Sequence, residues 1–434
     1  MTTYINEFYE KLLTDYDYSL DRNGVSGERL ARRLQELAKI GLTQDNGSNR
    51  LAFSPEEKAA KELVATWMKE AGLDVRTDGA GNVIGRLEGA SPKTILSGSH
   101  VDSVPNGGHF DGPLGVLAAL EVAEAIRASG NTPAKSYEVV IFSDEEGARF
   151  QGGMTGSKAF TRELEFSEEV DRRDSTGTSF DDVLRAQGLS LTNATSINND
   201  LSLYDAYVEI HIEQGKRLEK AGLSVGVVTG IAGPTWLQIT FTGEAGHAGN
   251  TPMNDRRDPL VAAGAFVSKL PNIPGQISDS AVATVGRLEV HPNGSNVIPG
   301  SVTCTVDMRD ITVENKVALK QAIEELLEET AATYGIEVSS FESTSIAPLK
   351  VADDLQQTVG AAITSELGVE PMYIPSGAGH DAMIIGKYMP MAMIFVQSKD
   401  GVSHNPKEWT TLTDCVSSVH VLKHVVESFA SKET

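Results

Sequence analysis

The apolar run Thr94-Ile95-Leu96 leads almost at once to His100, then to Asp102, and then through Gly107-Gly108-His109-Phe110-Asp111-Gly112 to Pro113. A strand that ends on metal-competent side chains constrains the fold strongly. The apolar run has to lie inside a sheet, and the glycine-rich loop has to open where a ligand can reach it. Beyond Pro113, Leu114, Leu117, Ala118 and Ile126 fall at helical spacing up to Gly130, and Tyr137–Ser143 is strand-like and runs into Asp144-Glu145-Glu146-Gly147. Strand, helix, strand is the signature of an α/β unit with a mostly parallel sheet flanked by helices.

Upstream, Leu30, Leu34 and Leu37 mark an amphipathic helix closed by Gly41. Ser54-Pro55-Glu56-Glu57 has the cap residues of a second helix, with Leu63, Trp67 and Met68 as its expected apolar face before Gly72. Residues 151–200 show weak periodicity and many polar groups, and predict helices and loops of no assigned role. Order returns with a strand at Tyr204–Ile210 that delivers His211-Ile212-Glu213-Gln214-Gly215.

From about Gly230 the pattern changes to strand, helix, strand, strand, helix, strand, the ferredoxin-like order. That block, residues 230–345, reads as an inserted α+β domain between the two parts, 1–229 and 346–434, of a catalytic domain. The first pattern then resumes with a helix at Asp353–Leu367, the loop Ser376-Gly377-Ala378-Gly379-His380-Asp381, a strand at Met391–Val396, the loop Ser403-His404-Asn405-Pro406 and a closing helix from Leu412.

At 434 residues and a net charge of −23, the chain is poorly suited to nucleic acid or an anionic membrane surface. No apolar run approaches the ~18 residues of a membrane span. Met1–Glu10 has no basic-then-apolar leader pattern, which predicts a cytoplasmic protein. Only Cys304 and Cys415 occur, so buried free thiols are expected, and any metal has to be held by His, Asp and Glu.

Four loops that follow strands carry such groups: His100 with Asp111, Glu145 with Glu146, His211, and His404. The carboxyl ends of strands in an open α/β sheet form one crevice, so these loops can converge. Histidines with carboxylates and no thiolate suit Zn²⁺ or Mn²⁺. Asp102, two residues beyond His100, is placed to accept the other ring N–H and fix the tautomer, or else caps its own loop.

These residues resemble a known family, the dinuclear-metal amidohydrolases and peptidases of the M20 class, within it the N-carbamoyl-L-amino acid amidohydrolase and allantoate amidohydrolase branch. The motifs that carry the resemblance are Gly98-Ser99-His100-Val101-Asp102-Ser103, Gly107 to Gly112, Asp144 to Phe150, His211 to Gly215, Gly246-His247-Ala248-Gly249, Ser376 to Asp381 and Ser403 to Pro406. The resemblance implies two divalent ions per subunit, Zn²⁺ or Mn²⁺ with Co²⁺ or Ni²⁺ able to substitute. Asp111 would bridge them, with His100 and His211 on one and Glu146 and His404 on the other. Glu145 would be the general base and His247 an oxyanion donor supplied through a homodimer whose inserted domain acts as lid; an ordinary turn histidine is the alternative. Asn296 and Arg309 match substrate-binding positions of the family. A guanidinium can hold an α-carboxylate by two parallel hydrogen bonds, although Arg309 could instead pair with Asp307 or Asp310. Gln214 and the backbone near Gly377 are further candidates for substrate contact.

His211 stands where the family's peptidases more often have a carboxylate. Gly233-Pro234-Thr235-Trp236 departs from the Gln-Arg-Arg-type sequence of allantoate hydrolases, and the apolar face of Trp236 favours a less polar substrate. The expectation is therefore a small anionic amino-acid derivative, an N-carbamoyl-L-amino acid cleaved at its carbamoyl C–N bond. Allantoate hydrolysis, an aminoacylase or dipeptidase activity, and a metal-binding homologue without turnover are the rival readings.

Overall fold

The computed structural model describes residues 2–431. The chain divides into two compact units. The first comprises residues up to Thr229, Val351–Ile374 and the chain from His380 onward, and the second comprises Gly230–Lys350 with Pro375–Gly379.

The first unit is built on a sheet whose strands are β1 (Asp74–Thr77), β2 (Val83–Leu87), β3 (Ser91–His100), β4 (Lys135–Phe142), β5 (Tyr204–Ile212), β6 (Val225–Ile231) and β7 (Met391–Val396), in spatial order β1-β2-β4-β3-β5-β7-β6. The four central strands β4, β3, β5 and β7 run parallel, and β2 and β6 flank them antiparallel. Every residue of β4 and β7 is buried, as expected of parallel strands covered on both faces. Helices α1 (Thr2–Leu13), α2 (Gly27–Ala38), α3 (Pro55–Glu70), α4 (Pro113–Ala128), α5 (Asp353–Leu367) and α6 (Leu412–Ser431) surround the sheet, with α4 and α6 packed on its centre.

The α3 cap forms as its sequence predicts. Ser54 Oγ accepts the Glu57 N–H at 3.1 Å, Pro55 opens the helix, and Glu57 reaches back to the Phe53 N–H at 2.5 Å. Its buried stripe is Ala60, Val64 and Met68 rather than Leu63 and Trp67, which lie half-buried on its edge. The large apolar side chains thus flank a seam of smaller ones. Strand β1, with only four residues and one half-buried side chain, carries too little pattern to be read from sequence.

Residues 150–195 fold as short helices around their own small cluster, where Phe150, Phe180, Leu184 and Leu191 pack on Ala52 and Phe53. Two ion pairs tie this segment to the turn after β4: Arg172 to Asp144 at 3.2 Å and Arg149 to Asp174 at 3.2 Å.

The second unit is a four-stranded antiparallel sheet in spatial order 337–345, 233–242, 301–310, 282–291, the ferredoxin-like arrangement, with helices Pro259–Lys269 and Val313–Tyr334 over one face. Strand Ser301–Asp310 alternates strictly. Val302, Cys304, Val306 and Met308 face the helices, and Thr305, Asp307 and Arg309 face away with Trp236. This unit runs past residue 345 because Leu349 and Lys350 pair with Ile231 and Gly230. It also takes in Pro375–Gly379, because the Ala232 N–H donates to Ser376 O at 2.9 Å. Both cysteines are buried and free. No helix among the described residues is long and apolar enough to cross a membrane.

Helix α1 closes on the glycine-rich loop. Phe8 packs edge-on against His109 and Trp409, with ring centroids 5.4 and 5.6 Å apart, and Trp409 packs on Phe110. His109 lies 2.9 Å from the Asn46 carbonyl through Nε2, while its buried Nδ1 has no partner. Burial, aided by the Arg50 charge, pushes this imidazole down from 6.5 to about 4. A depressed folded-state value means the contribution is whole above pH 6.5 and is lost as the pH falls towards 4, where the unfolded chain binds the extra proton. The expected outcome is that the wild type loses up to about 3 kcal/mol more than His109→Gln across that interval. Chemical denaturation of both proteins at a series of pH values measures it.

Candidate metal centre

The parallel strands deliver their carboxyl ends to one place. His100 is the last residue of β3, His211 is the last but one of β5, Glu145 and Glu146 follow β4, and His404 follows β7. Asp111 precedes α4 across the glycine-rich loop. Gly112 caps that helix with φ +80°, and a Cβ there would lie 2.4 Å from the His100 ring, so the loop can pass over the histidine only as glycine.

Asp111 presents its two oxygens to two sets of donors. Oδ1 lies 3.1 Å from His211 Nε2 and 3.6 Å from His100 Nε2, whereas Oδ2 lies 3.4 Å from His404 Nε2. His404 Nε2 is also 3.4 Å from Glu146. Within each of two groups, His100–Asp111–His211 and Asp111–Glu146–His404, the ligand atoms all lie within 4.8 Å of one another. His100 Nε2 is buried without a hydrogen-bond partner, 3.6 Å from both Asp111 and Glu145. A buried, unpartnered imidazole nitrogen aimed at carboxylate oxygens fits a cation of imidazole–carboxylate preference, and the residues present therefore suit Zn²⁺ or Mn²⁺.

The second ring nitrogens are fixed by backbone. His211 Nδ1 lies 2.9 Å from Ile212 O and His100 Nδ1 lies 3.1 Å from the peptide carbonyl of Asp102. The Asp102 carboxylate faces the same nitrogen at 3.6 Å, and it also accepts the N–H of Glu145 at 3.3 Å and of Glu146 at 3.2 Å. Asp102 therefore orients His100 through its main chain and the acidic pair through its side chain.

Burial drives most of the electrostatics. It raises Glu145 well above the usual carboxyl range, with His100 opposing and Asp381, Glu146 and Asp102 adding to the effect. Glu146 is pushed up to about 7 by burial and by Asp111. Burial also acts to raise Asp111, but His211 and the hydrogen bonds from His100, His211 and His404 outweigh it and hold the group well below its ordinary value. Asp144, Gln214 and His404 all have φ between 54° and 55°, a left-handed backbone that non-glycine residues rarely adopt, and all three sit in loops of this site.

Gln214 donates through its amide nitrogen to Asp111 Oδ2 at 2.7 Å and to Ser403 Oγ at 3.3 Å. The remaining expected site residues belong to the second unit. There His247 pairs with Val297, next to the exposed Asn296. His247 Nδ1 accepts the N–H groups of Gly249 and Asn250 at 3.1 and 3.2 Å, leaving Nε2 as the exposed donor. Arg309 is held by Asp307 through two bonds, of 3.0 and 2.8 Å, and donates to Gly377 O at 2.6 Å. The strand-end ion pair thus forms, and it joins Arg309 to Gly377. With Trp236, Thr284 and Ser343, Asp307 and Arg309 line a groove of about 500 Å³ on the open face of the sheet.

Sequence reasoning missed two buried acids. Glu408 accepts the N–H groups of Phe110 and Asp111, and Glu209 accepts the Ser99 hydroxyl and the Ala382 N–H. Glu408 sits in a polar loop without periodicity; its one signal is the pair Gly107-Gly108, which calls for a close neighbour.

A model of peptidase family M20/M25/M40 matches residues 96–428. The N-carbamoyl-L-amino acid amidohydrolase of Geobacillus stearothermophilus is 43% identical over 94% of this chain and 100% of its own length. The allantoate amidohydrolase of Bacillus subtilis (strain 168) is 35% identical, covering 92% and 96%. A solved hydantoinase/carbamoylase family amidase from Burkholderia multivorans superposes with a TM-score of 0.87 at 36% identity, covering 95% of this chain and 99% of that one.

Adding Mn²⁺ or Zn²⁺ to chelator-treated protein is expected to raise its melting temperature, by the equivalent of about 2.7 kcal/mol at one hundred times the dissociation constant. Asp111→Asn should abolish the shift and His404→Ala should halve the bound metal, as read by elemental analysis.

Proposed function

The chain belongs to peptidase family M20/M25/M40, and from that premise we propose that it is a two-metal amidohydrolase that cleaves the carbamoyl C–N bond of an N-carbamoyl-L-amino acid. The products are the amino acid, CO₂ and ammonia. The observation that carries the reading is the pair of donor groups sharing Asp111, with Glu145 3.6 Å from His100 and not part of either group. The higher identity with the carbamoyl-hydrolysing relative than with the allantoate-hydrolysing one, together with Trp236 in place of a cationic sequence, supports this substrate over allantoate.

The bound ions would supply an acidified water and a Lewis acid for the carbamoyl oxygen. His100 and His211 would hold one and Glu146 and His404 the other, with Asp111 between. Glu145 takes the proton from the attacking water and returns it to the departing α-nitrogen, so that the amino acid leaves as an amine and the carbamate decomposes to CO₂ and ammonia. The Nε2–H of His247, fixed by two peptide N–H groups on the opposite nitrogen, donates to the developing oxyanion. Arg309, preorganised by Asp307, takes the substrate carboxylate, with Asn296 and the Gly377 backbone beside it. The second unit serves as lid and dimerisation domain, and a second copy of the chain in the cytoplasm delivers His247.

Purified protein loaded with Mn²⁺ is expected to hydrolyse N-carbamoyl-L-amino acids faster than allantoate or N-acyl amino acids; the reverse order would remove the substrate assignment. Glu145→Gln should keep its metal and lose about 10² to 10⁴ in kcat. His247→Ala should lose about 10² to 10³. If His247 acts on the partner's site, co-expressing Glu145→Gln with His247→Ala restores activity in the mixed dimer. Two inactive variants that stay inactive together would place the histidine in its own subunit's reaction.

A further inference from the structure

Glu408 is 3% exposed, four residues beyond His404, and no step above uses it. Its Oε1 accepts the N–H groups of Phe110 at 2.8 Å and Asp111 at 3.1 Å, and its Oε2 lies 3.0 Å from the Ser403 hydroxyl. Ser403 in turn donates to Asp111 Oδ2 at 2.6 Å. A single carboxylate thus grips the Asp111 loop by its main chain, the His404 loop by the residue before the histidine, and, through that hydroxyl, the Asp111 oxygen that faces His404. The Glu408 carboxylate lies against Gly108, where a Cβ would come 2.0 Å from it.

We propose that Glu408 is a positioning residue for the metal centre: it clamps the His404 loop to the Asp111 loop and, with Ser403, sets the plane of the Asp111 carboxylate. The proposal rests on the reading of Asp111 and His404 as metal ligands. Its physical basis is that two ligands far apart in sequence, one of them on a half-exposed loop with a left-handed backbone, hold a common geometry only if something buried ties their loops. Two peptide N–H groups donating to one buried carboxyl oxygen fix its place, and here the bonds are shielded from water. The clamp acts on Oδ2, so an ion held by Asp111, Glu146 and His404 would depend on it more than one held by His100 and His211.

Glu408→Leu keeps the bulk and removes both ends of the grip, Glu408→Gln can still accept the two N–H groups and face Ser403, and Ser403→Ala leaves the main-chain grip and removes the link to Oδ2. Titrating chelator-treated full-length protein with Mn²⁺ and with Co²⁺, followed by calorimetry and by the Co²⁺ visible spectrum, is expected to give two binding events in the wild type. Glu408→Leu should weaken one of them about 10- to 100-fold, change the Co²⁺ spectrum, and lower kcat more than it raises KM, with the thermal transition still cooperative. Ser403→Ala should weaken the same event by a smaller factor, and Glu408→Gln should recover most of it. Two unchanged binding events and an unchanged spectrum in both Glu408→Leu and Ser403→Ala would overturn the proposal while leaving the metal reading intact. A wild type that binds no divalent ion would overturn both. If Glu408→Leu does not fold, Ser403→Ala alone decides.

Discussion

Five side chains converge on one carboxylate. His100, His211 and His404 face Asp111 at 3.6, 3.1 and 3.4 Å, and Gln214 and Ser403 reach its outer oxygen at 2.7 and 2.6 Å. They come from three separate segments of chain, so the geometry around Asp111 exists only when β3, β5 and β7 are in register beside one another. The parallel core is the means: strands that all point one way end at one edge, and whatever follows them must meet there.

Acid dominates the surroundings of that point. Asp102, Asp144, Glu145, Glu209, Asp381 and Glu408 are all buried, within a chain that already carries a net charge of −23. Burying so much carboxylate is costly unless each group is bonded or neutralised. The fold answers in three ways: with peptide N–H groups at Asp102 and Glu408, with Arg172 at Asp144, and with imidazoles at Asp111. Asp381 is instead raised well above its ordinary value by burial and by Glu209, with His100 and Ser157 opposing.

Much of this was legible in the sequence because the informative residues stand at pattern breaks. Glu145, His211 and His404 each follow a short apolar run, and Ser54-Pro55 with Glu57 announces its helix without ambiguity. What stayed hidden depends on distances that spacing does not encode. Asp102 is two residues from His100, which suggested a ring contact, but the main-chain carbonyl lies nearer and the carboxylate turns to the Glu145–Glu146 peptides. Glu408 lacks any local pattern because its partners lie some three hundred residues away. Residues 150–195 were opaque for a related reason: their core is small, and their contribution, an arginine behind Asp144, is visible only in space.

The place of β7 in the sheet bears on how the protein is made. This strand comes near the end of the chain, yet it lies between β5 and β6, which are close neighbours in sequence. While a ribosome is still extending the chain, β5 and β6 lack the neighbour that separates them, and His404 has not yet been added. Synthesis proceeds from the amino end, so neither the sheet nor the second donor group can close until residues 391–404 have emerged. Until then the nascent chain has to keep several apolar strand faces out of trouble.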